Sequence, residues 1–292
     1  MGLPGRKPTE TKTKRAKMIC SGKSGTGKTY FACNFPDTYY WACEDGADRP
    51  QYQKLLKKNN SVFVGQAEGS QDFKLLIDSV KTLATTKHNF KNLIIDSFTK
   101  IYLLEAAIAE EKIGNDFGRD KKEANRPTRQ LMRWLDKLDM NVILICHYKD
   151  KWERKNGELI NVDSTYDGYD KLEYDLDLWI ETSEKNGQRI FEVKKSRIES
   201  MPKGMVKPLD YQTFIELYGK EDIEKEVKVL ELATQEQIKR VKELIEMFNI
   251  PQDAIDKWLK KVDVDSFEEA PSESIQKFVD SFESKIKQGD KK

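Results

Sequence analysis

The sequence predicts an α/β fold with a mainly parallel central sheet, followed by a small all-helical module. Short apolar runs alternate with segments of helical periodicity from residue 16 to residue 218. A glycine-rich loop joins the first apolar run to the first helical segment. After Leu217 the chain becomes almost wholly charged, and the rest of it shows only helical patterns.

The first strand is predicted over residues 16–21, and a phosphate-binding pattern follows it directly. This glycine-rich loop matches G-x-x-x-x-G-K-[ST] with Gly22, Lys23, Ser24, Gly25, Thr26, Gly27, Lys28 and Thr29. Its glycines let successive backbone N–H groups turn toward phosphate oxygens, Lys28 adds a positive charge, and the Thr29 hydroxyl can bind Mg²⁺. A helix predicted from Lys28 to Asn34 would point its N-terminus at the anion. The loop therefore predicts a nucleotide-binding core.

Other apolar runs end in polar residues. The run 37–43 ends before Glu44, the run 92–97 contains Asp96, and the run 141–146 ends before His147. Because the carboxyl ends of parallel strands line the ligand crevice, Glu44 is expected beside the glycine-rich loop. Asp96 is the expected Mg²⁺ partner of a P-loop enzyme.

Two polar segments interrupt the pattern of strands and helices. Residues 114–126 break the helical periodicity and are basic, and the RecA-like resemblance described below implies that they face DNA, with Arg119, Lys121 and Lys122 as candidate contacts. Residues 148–171 interleave basic and aromatic side chains, and the candidate contacts there are Lys149, Lys151, Trp152, Arg154 and Lys155. This mixture suits single-stranded nucleic acid, since bases stack on rings while cations meet phosphates. A solvated hairpin is the alternative for the second segment.

Composition and pattern divide the chain into regions. Residues 1–15 form a basic tail that is expected to be mobile when alone, and residues 16–218 form the predicted nucleotide-binding core. Residues 219–233 form a charged linker. Residues 234–288 form a small helical module, whose first helix opens with a capping box at Thr234–Gln237.

The composition disfavours several functional classes. The 292 residues carry a formal net charge of +1, so any nucleic-acid surface must be local. No apolar run approaches the ~20 residues that cross a membrane, and the basic N-terminus lacks the apolar core of a signal peptide. The cysteines show no C-x-x-C spacing, which disfavours a zinc site and suits a reducing cytoplasm. A soluble cytoplasmic protein is therefore expected.

The same residues discriminate among P-loop enzymes. The Asn-Lys-x-Asp motif with which small GTPases read their base is absent from the sequence. Asp96 is followed by Ser97, whereas enzymes of the AAA+ type usually place a glutamate there. No clear arginine-rich lid of the kind that small-molecule kinases use is found. Glu44 is therefore the best candidate for the carboxylate that activates water.

Taken in order, these landmarks resemble the core of the RecA recombinase family. The similar segments are Glu44–Asp48, Leu93–Ser97, Val142–His147 and the basic run Lys195–Arg197. In particular they are similar to the short, phage-encoded RecA-like proteins of the Sak type, which are treated as single-strand annealing or recombination proteins. The resemblance covers roughly residues 16–205 and implies a RecA-like P-loop NTPase core.

The resemblance implies a role for each landmark. Glu44 would orient or activate the attacking water, and Asp96 would hold Mg²⁺ through water. His147 stands where RecA has a glutamine, and it would sense the γ-phosphate and signal to the following loop. Lys195 and Arg197 would reach the nucleotide of the neighbouring subunit as fingers in trans.

The resemblance also implies a DNA-stimulated ATPase that self-assembles into a ring or filament, with ATP and Mg²⁺ between protomers. The expected partner is single-stranded DNA, in recombination or annealing of phage DNA. The helical module would contact DNA or a single-strand DNA-binding protein. Two alternatives stay open: a helicase-loading or packaging-type ATPase motor, and a binding module that ATP switches with negligible turnover.

Overall fold

One eight-stranded sheet forms the centre of the fold, and helices cover both of its faces. The computed structural model describes residues 15–113, 119–155 and 158–289. The strands are β1 (Lys17–Gly22), β2 (Thr38–Ala42), β3 (Val62–Val64), β4 (Asn92–Asp96), β5 (Asn141–Ile145), β6 (His147–Lys155), β7 (Glu158–Asp167), β8 (Leu178–Lys185), β9 (Gln188–Ser196) and β10 (Val206–Pro208). The helices are α1 (Lys28–Cys33), α2 (Pro50–Lys58), α3 (Phe73–Thr85), α4 (Phe98–Ile113), α5 (Arg119–Lys137), α6 (Leu172–Asp175), α7 (Tyr211–Tyr218), α8 (Lys220–Glu224), α9 (Gln235–Met247), α10 (Gln252–Val262) and α11 (Ser272–Gly289).

The central sheet has the strand order β10-β9-β8-β1-β5-β4-β2-β3, and β6 and β7 form a separate hairpin. The strands from β8 to β3 run parallel, whereas β9 and β10 are antiparallel additions at one edge. The predicted α/β class, with a mainly parallel sheet and helices at the C-terminal end, is confirmed. Because β5 lies between β1 and β4, its C-terminal end comes between the glycine-rich loop and Asp96.

Two apolar cores, one on each face of the sheet, explain why the central strands are apolar along their middle. Ile19 and Ile95 belong to the core that α3, α4 and α5 close, whereas Cys20 and Ile94 belong to the core that α1, α2 and α7 close. Neighbouring residues of a strand face opposite sides, so strands covered on both faces need no polar alternation. Burial of both faces fixes the strand register, and the register aligns the strand ends that form the site.

Helix α5 corrects one sequence prediction. The sequence predicts a break over residues 114–126, but α5 already begins at Arg119 and carries Pro127 in its interior. Proline breaks most helix interiors, and it misled the prediction here. The Lys, Glu and Ala residues of 121–124 are good helix formers, and Leu131 one turn after the proline is fully buried. Residues 114–118 lie outside the described part of the chain.

The charged stretch predicted as a linker, residues 219–233, packs on the core. It contains α8, and its Leu230 lies against the apolar core beneath α3 and α5. Arg15 is buried, pairs with Asp139 at 3.2 Å and donates to the backbone carbonyls of residues 222, 223, 225 and 226. Arg15 therefore belongs to the folded core, whereas residues 1–14 of the predicted tail lie outside the described residues. The other domain boundaries stay predictions.

Helices α9, α10 and α11 enclose an apolar cluster of their own that includes Val241. The capping box at the start of α9 has both of its bonds: the Gln237 side chain accepts from the Thr234 N–H at 3.0 Å, and the Thr234 hydroxyl accepts from the Gln237 N–H at 3.2 Å. An ion pair of 2.6 Å between Lys81 and Glu269 joins this module to α3. Among the described residues, no helix has the length and apolar character that a membrane span requires.

Candidate active site

The glycine-rich loop leaves the C-terminal end of β1 and enters α1. Two of its glycines leave no room for a side chain. Gly22 has a φ of +146°, and a Cβ there would lie 2.3 Å from the hydroxyl oxygen of Thr182 on β8. Gly27 has a φ of +97°, and a Cβ there would lie 2.7 Å from Cδ of Arg189. The Thr182 hydroxyl also bonds to that of Thr26 at 2.6 Å, so β8 holds the loop in place.

The ammonium of Lys28 lies within the curve of the loop. Its Nζ donates to the carbonyl oxygens of Gly22 at 2.7 Å and Lys23 at 2.8 Å. Partial burial lowers the pKa of Lys28. The loop thus presents a localised positive charge among its backbone groups, which is the arrangement that a phosphate-binding loop needs.

Thr29 and Asp96 meet at one side of this loop. The Thr29 hydroxyl donates to Oδ2 of Asp96 at 2.8 Å, and the Tyr40 hydroxyl donates to the same oxygen at 2.5 Å. Burial raises the pKa of Asp96, and these hydrogen bonds oppose the rise. A hydroxyl and a carboxylate beside a phosphate loop are the oxygen ligands that Mg²⁺ takes in nucleotide sites. The residues present therefore fit a magnesium ion.

Glu44, Ser97 and His147 form a hydrogen-bonded group beyond the ends of β2, β4 and β5. Nε2 of His147 lies 2.6 Å from Oε1 of Glu44 and 3.2 Å from Oγ of Ser97, and the Ser97 hydroxyl donates to the same Glu44 oxygen. The bond from His147 lowers the pKa of Glu44, and the bond to Glu44 raises the pKa of His147. These opposed shifts favour a carboxylate paired with an imidazolium. The sequence indicated Glu44 and His147 but gave no role to Ser97, which joins them.

The glycine-rich loop with Lys28 and Thr29, together with Glu44, Asp96 and His147, borders a cavity of about 640 Å³ at the carboxyl edge of the sheet. The lining residues without a predicted site role include three large polar side chains, which are Tyr52 on α2, Tyr148 on β6 and Arg189 on β9. Tyr148 could have been suspected because it follows His147. No local signal marks Arg189, since its approach depends on how β8 and β9 pair.

Comparison with protein families finds that residues 14–198 match the family described as AAA domain. The chain belongs to this family. Its core is therefore a P-loop domain of the nucleotide-binding NTPase type. Ser97 stands directly after Asp96, and its hydroxyl donates to the carboxylate of Glu44, which comes from beyond the end of β2.

Comparison with solved structures finds a crystal structure of the RadB recombinase. The two chains are 13% identical, the match covers 66% of this chain and 86% of that chain, and the TM-score is 0.41. Comparison with curated proteins finds no match to this AAA-domain chain.

Lys195 and Arg197, the predicted fingers in trans, lie away from the cavity of their own chain. Strand β9 runs antiparallel to β8, so its first residues approach the glycine-rich loop and its last residues reach the opposite edge of the sheet. Lys195 donates to the carbonyl of Leu176, and Arg197 pairs with Asp177 at 3.1 Å. Their contribution to a neighbouring subunit stays a prediction.

The segment 148–171 contains the β6–β7 hairpin, which begins at His147 in the site. Trp152 is 56% exposed on β6, and Lys149 pairs with Asp167 at 3.5 Å. The other candidate contacts on this strand are Lys151, Arg154 and Lys155. The candidate DNA contacts from the segment 114–126 are Arg119, Lys121 and Lys122. For these the structure describes only the helical backbone at the start of α5.

Proposed function

We propose that this protein is an ATP-dependent single-stranded DNA-binding protein whose ATPase activity is stimulated by DNA. The observation that carries the proposal is the physical continuity between the glycine-rich loop and the β6–β7 hairpin. His147, which bonds to Glu44, is the first residue of β6. The ring of the next residue, Tyr148, lies 5.1 Å from Nζ of Lys23 in the loop. A ligand that moves the hairpin therefore moves groups at the nucleotide site.

The hairpin has the composition that single strands require. The Trp152 ring is more than half exposed, and Lys149, Lys151 and Arg154 on the same strand are exposed cations. Leu159, which is 64% exposed, lies opposite Arg154 on β7. Exposed rings among cations bind single strands because bases stack and phosphates pair with the charges. The role in recombination or annealing of phage DNA is proposed on the resemblance of the landmark motifs.

On the nucleotide side, each group of the chain has one task in this proposal. Lys28 binds phosphate oxygens, and Thr29 and Asp96 hold Mg²⁺, which supplies charge that neutralises the phosphates. Glu44 stays ionised through the neutral range because the bond from His147 lowers its pKa, so it orients the attacking water as an acceptor. The same bond links the state of Glu44 to the first residue of the hairpin.

We further propose that ATP binds between protomers of a ring or filament. Lys195 and Arg197 lie at the sheet edge opposite their own glycine-rich loop, so a phosphate that they reach must belong to another copy. Mixing Lys28→Ala subunits with Arg197→Ala subunits should then restore part of the ATPase activity. Absence of rescue at every mixing ratio would place all catalytic groups within one chain.

The helical module is proposed to contact DNA or a partner such as a single-strand DNA-binding protein. Met247 and Phe248, at the end of α9, are 58% and 37% exposed and give the module an apolar surface for a partner. Loss of co-purification with a single-strand DNA-binding protein in a Met247→Glu variant would support this assignment, and equal binding would contradict it.

The decisive experiment measures ATP hydrolysis with and without single-stranded DNA. DNA should raise the wild-type rate, and Glu44→Gln should abolish turnover while ATP still binds. Trp152→Ala should weaken DNA binding by about 5- to 150-fold, since one stacked base contributes roughly 1–3 kcal/mol. Tyr174→Ala, which removes an aromatic ring 69% exposed elsewhere, is the matched control.

The outcomes separate the proposal from its alternatives. No DNA binding and no DNA stimulation by the wild type would refute it. Stimulation by a partner protein instead of DNA would favour a helicase-loading or packaging-type motor. Intact biological activity in Glu44→Gln, together with its loss in Lys28→Ala, would favour a module that ATP switches without turnover.

A further inference from the structure

Arg189 lies directly beside the glycine-rich loop of its own chain. It follows the Asn-Gly turn between β8 and β9, lies opposite Glu184 in the strand register, and its backbone carbonyl accepts a hydrogen bond from the N–H of Leu209 at 2.9 Å. Its Cδ and Nε lie 2.7 Å and 3.2 Å from the point that a Cβ of Gly27 would occupy. Its guanidinium carbon lies 5.7 Å from the centre of the Tyr30 ring. The backbone of Arg189 is therefore fixed, and its side chain lies across the loop.

The charged group of Arg189 has different surroundings from those of Lys195 and Arg197, the cations at the other end of β9. Arg197 is paired with Asp177, and Lys195 is bonded to a backbone carbonyl. Among the described residues, no carboxylate pairs with Arg189, whose guanidinium faces an aromatic ring and borders the cavity. A guanidinium carries five N–H donors in a planar fork that matches phosphate oxygens.

The strand order places this cation on a particular side of the cavity. β8 and β9 lie on one side of β1, whereas β4 and β2, which end at Asp96 and before Glu44, lie on the other. Arg189 therefore approaches the nucleotide from the side opposite the groups proposed to hold Mg²⁺ and to orient water. A cation in that position is separated from the groups proposed to act at the attacked phosphate.

We propose that Arg189 binds phosphate oxygens of the nucleotide held by its own chain and contributes to affinity for ADP and ATP alike. The proposal rests on the proposed function in one respect, that the ligand is an adenine nucleotide. It assigns a cation in cis, which is independent of the fingers proposed in trans.

The test measures dissociation constants of Mg-ADP and Mg-ATP by calorimetry on the full chain. Arg189→Ala should weaken both nucleotides by a similar factor, on the order of ten-fold or more, because a charge-assisted hydrogen bond is lost. Arg189→Lys, which keeps the charge without the fork, should recover part of the affinity. The difference between wild type and Arg189→Ala should shrink as salt is raised, which a purely structural effect would not do.

Arg129→Ala, which removes an exposed arginine on α5, is the matched control, and it should bind ADP as the wild type does. Wild-type affinity in Arg189→Ala would overturn the inference while leaving the proposed function intact. A loss that is independent of salt and is not recovered by lysine would also overturn it. Failure of the wild type to bind either nucleotide would instead refute the proposed function itself.

Discussion

Replacing Tyr40 with phenylalanine removes one hydroxyl from the candidate site and keeps the aromatic ring. Tyr40 is fully buried on β2, and its hydroxyl donates to Asp96 at 2.5 Å. Burial, together with the neighbouring Asp96, holds the pKa of Tyr40 well above its usual value. The hydroxyl therefore stays protonated and remains a donor throughout the neutral range.

The magnitude follows from the loss of one hydrogen bond to a buried carboxylate. Asp96 would keep the bond from Thr29, and a bond to a charged group contributes about 1.5–3 kcal/mol. We expect a loss of that size in the free energy of unfolding at neutral pH. Burial already raises the folded-state pKa of Asp96, and removal of the Tyr40 bond, which lowers it, should raise it further.

The pH dependence has a definite sign. Because the folded state holds the Asp96 proton more tightly than the unfolded state, stability falls as the pH rises from the unfolded pKa to the raised folded pKa. The stability of the Tyr40→Phe protein should fall by more than that of the wild type, and over a wider pH interval. The difference in stability between variant and wild type is therefore largest at pH values above the folded-state pKa of Asp96 in both proteins. It shrinks as the pH falls below those pKa values.

Urea unfolding followed by circular dichroism, at neutral and at acidic pH, measures both quantities. Tyr211→Phe is the control, because its hydroxyl makes a longer bond of 3.4 Å to Glu224 outside the cavity, and its effect should be smaller. Equal stability of Tyr40→Phe and wild type at neutral pH would refute the reasoning. A loss of the same size at both pH values would show that ionised Asp96 is not involved.

Three further changes test other parts of the molecule, and Gly46→Ala serves as the control for one of them. Glu44→Gln removes the carboxylate that raises the pKa of His147, so nuclear magnetic resonance should find a lower pKa for that ring, and an unchanged value would exclude the pair. Gly22→Ala places a Cβ 2.3 Å from a hydroxyl oxygen and should lower both thermal stability and nucleotide affinity. Gly46→Ala has open space at its Cβ position and should leave thermal stability unchanged. Arg15→Ala leaves Asp139 without its ion-pair partner and several backbone carbonyls without their donor, so it should cost about 3–5 kcal/mol in urea unfolding, and a loss under about 1 kcal/mol would contradict that role.

Residues that lie at the ends of parallel strands could be placed from the sequence. The glycine-rich loop, Glu44, Asp96 and His147 each follow or end an apolar run, and such runs bring their carboxyl ends to one edge of a parallel sheet. To predict that these residues lie close together, only the direction of the strands must be known, and not which strands pair. Ser97 received no role from the sequence, because sequence order does not show that a carboxylate from beyond β2 meets it.

Residues that act through strand pairing could not be placed from the sequence. Tyr40 reaches Asp96 because β2 pairs with β4 with Ala42 opposite Asp96. Thr182 limits the space at Gly22 because β8 lies beside β1, although the two strands are far apart in sequence. No period or motif encodes which of several strands becomes a neighbour. These supporting side chains therefore appeared only in the three-dimensional structure.

The direction of β9 determines how the cations at its two ends can act. Arg189 and Lys195 are separated by about 20 Å along this strand, at roughly 3.4 Å per residue, so one chain cannot bring both to one nucleotide. Arg189 borders the cavity of its own chain, and the role proposed for Lys195 and Arg197 would require a second copy. The two contributions must then differ in their dependence on protein concentration. Loss of Arg189 should weaken nucleotide binding at every concentration, whereas loss of Arg197 should matter only where chains assemble.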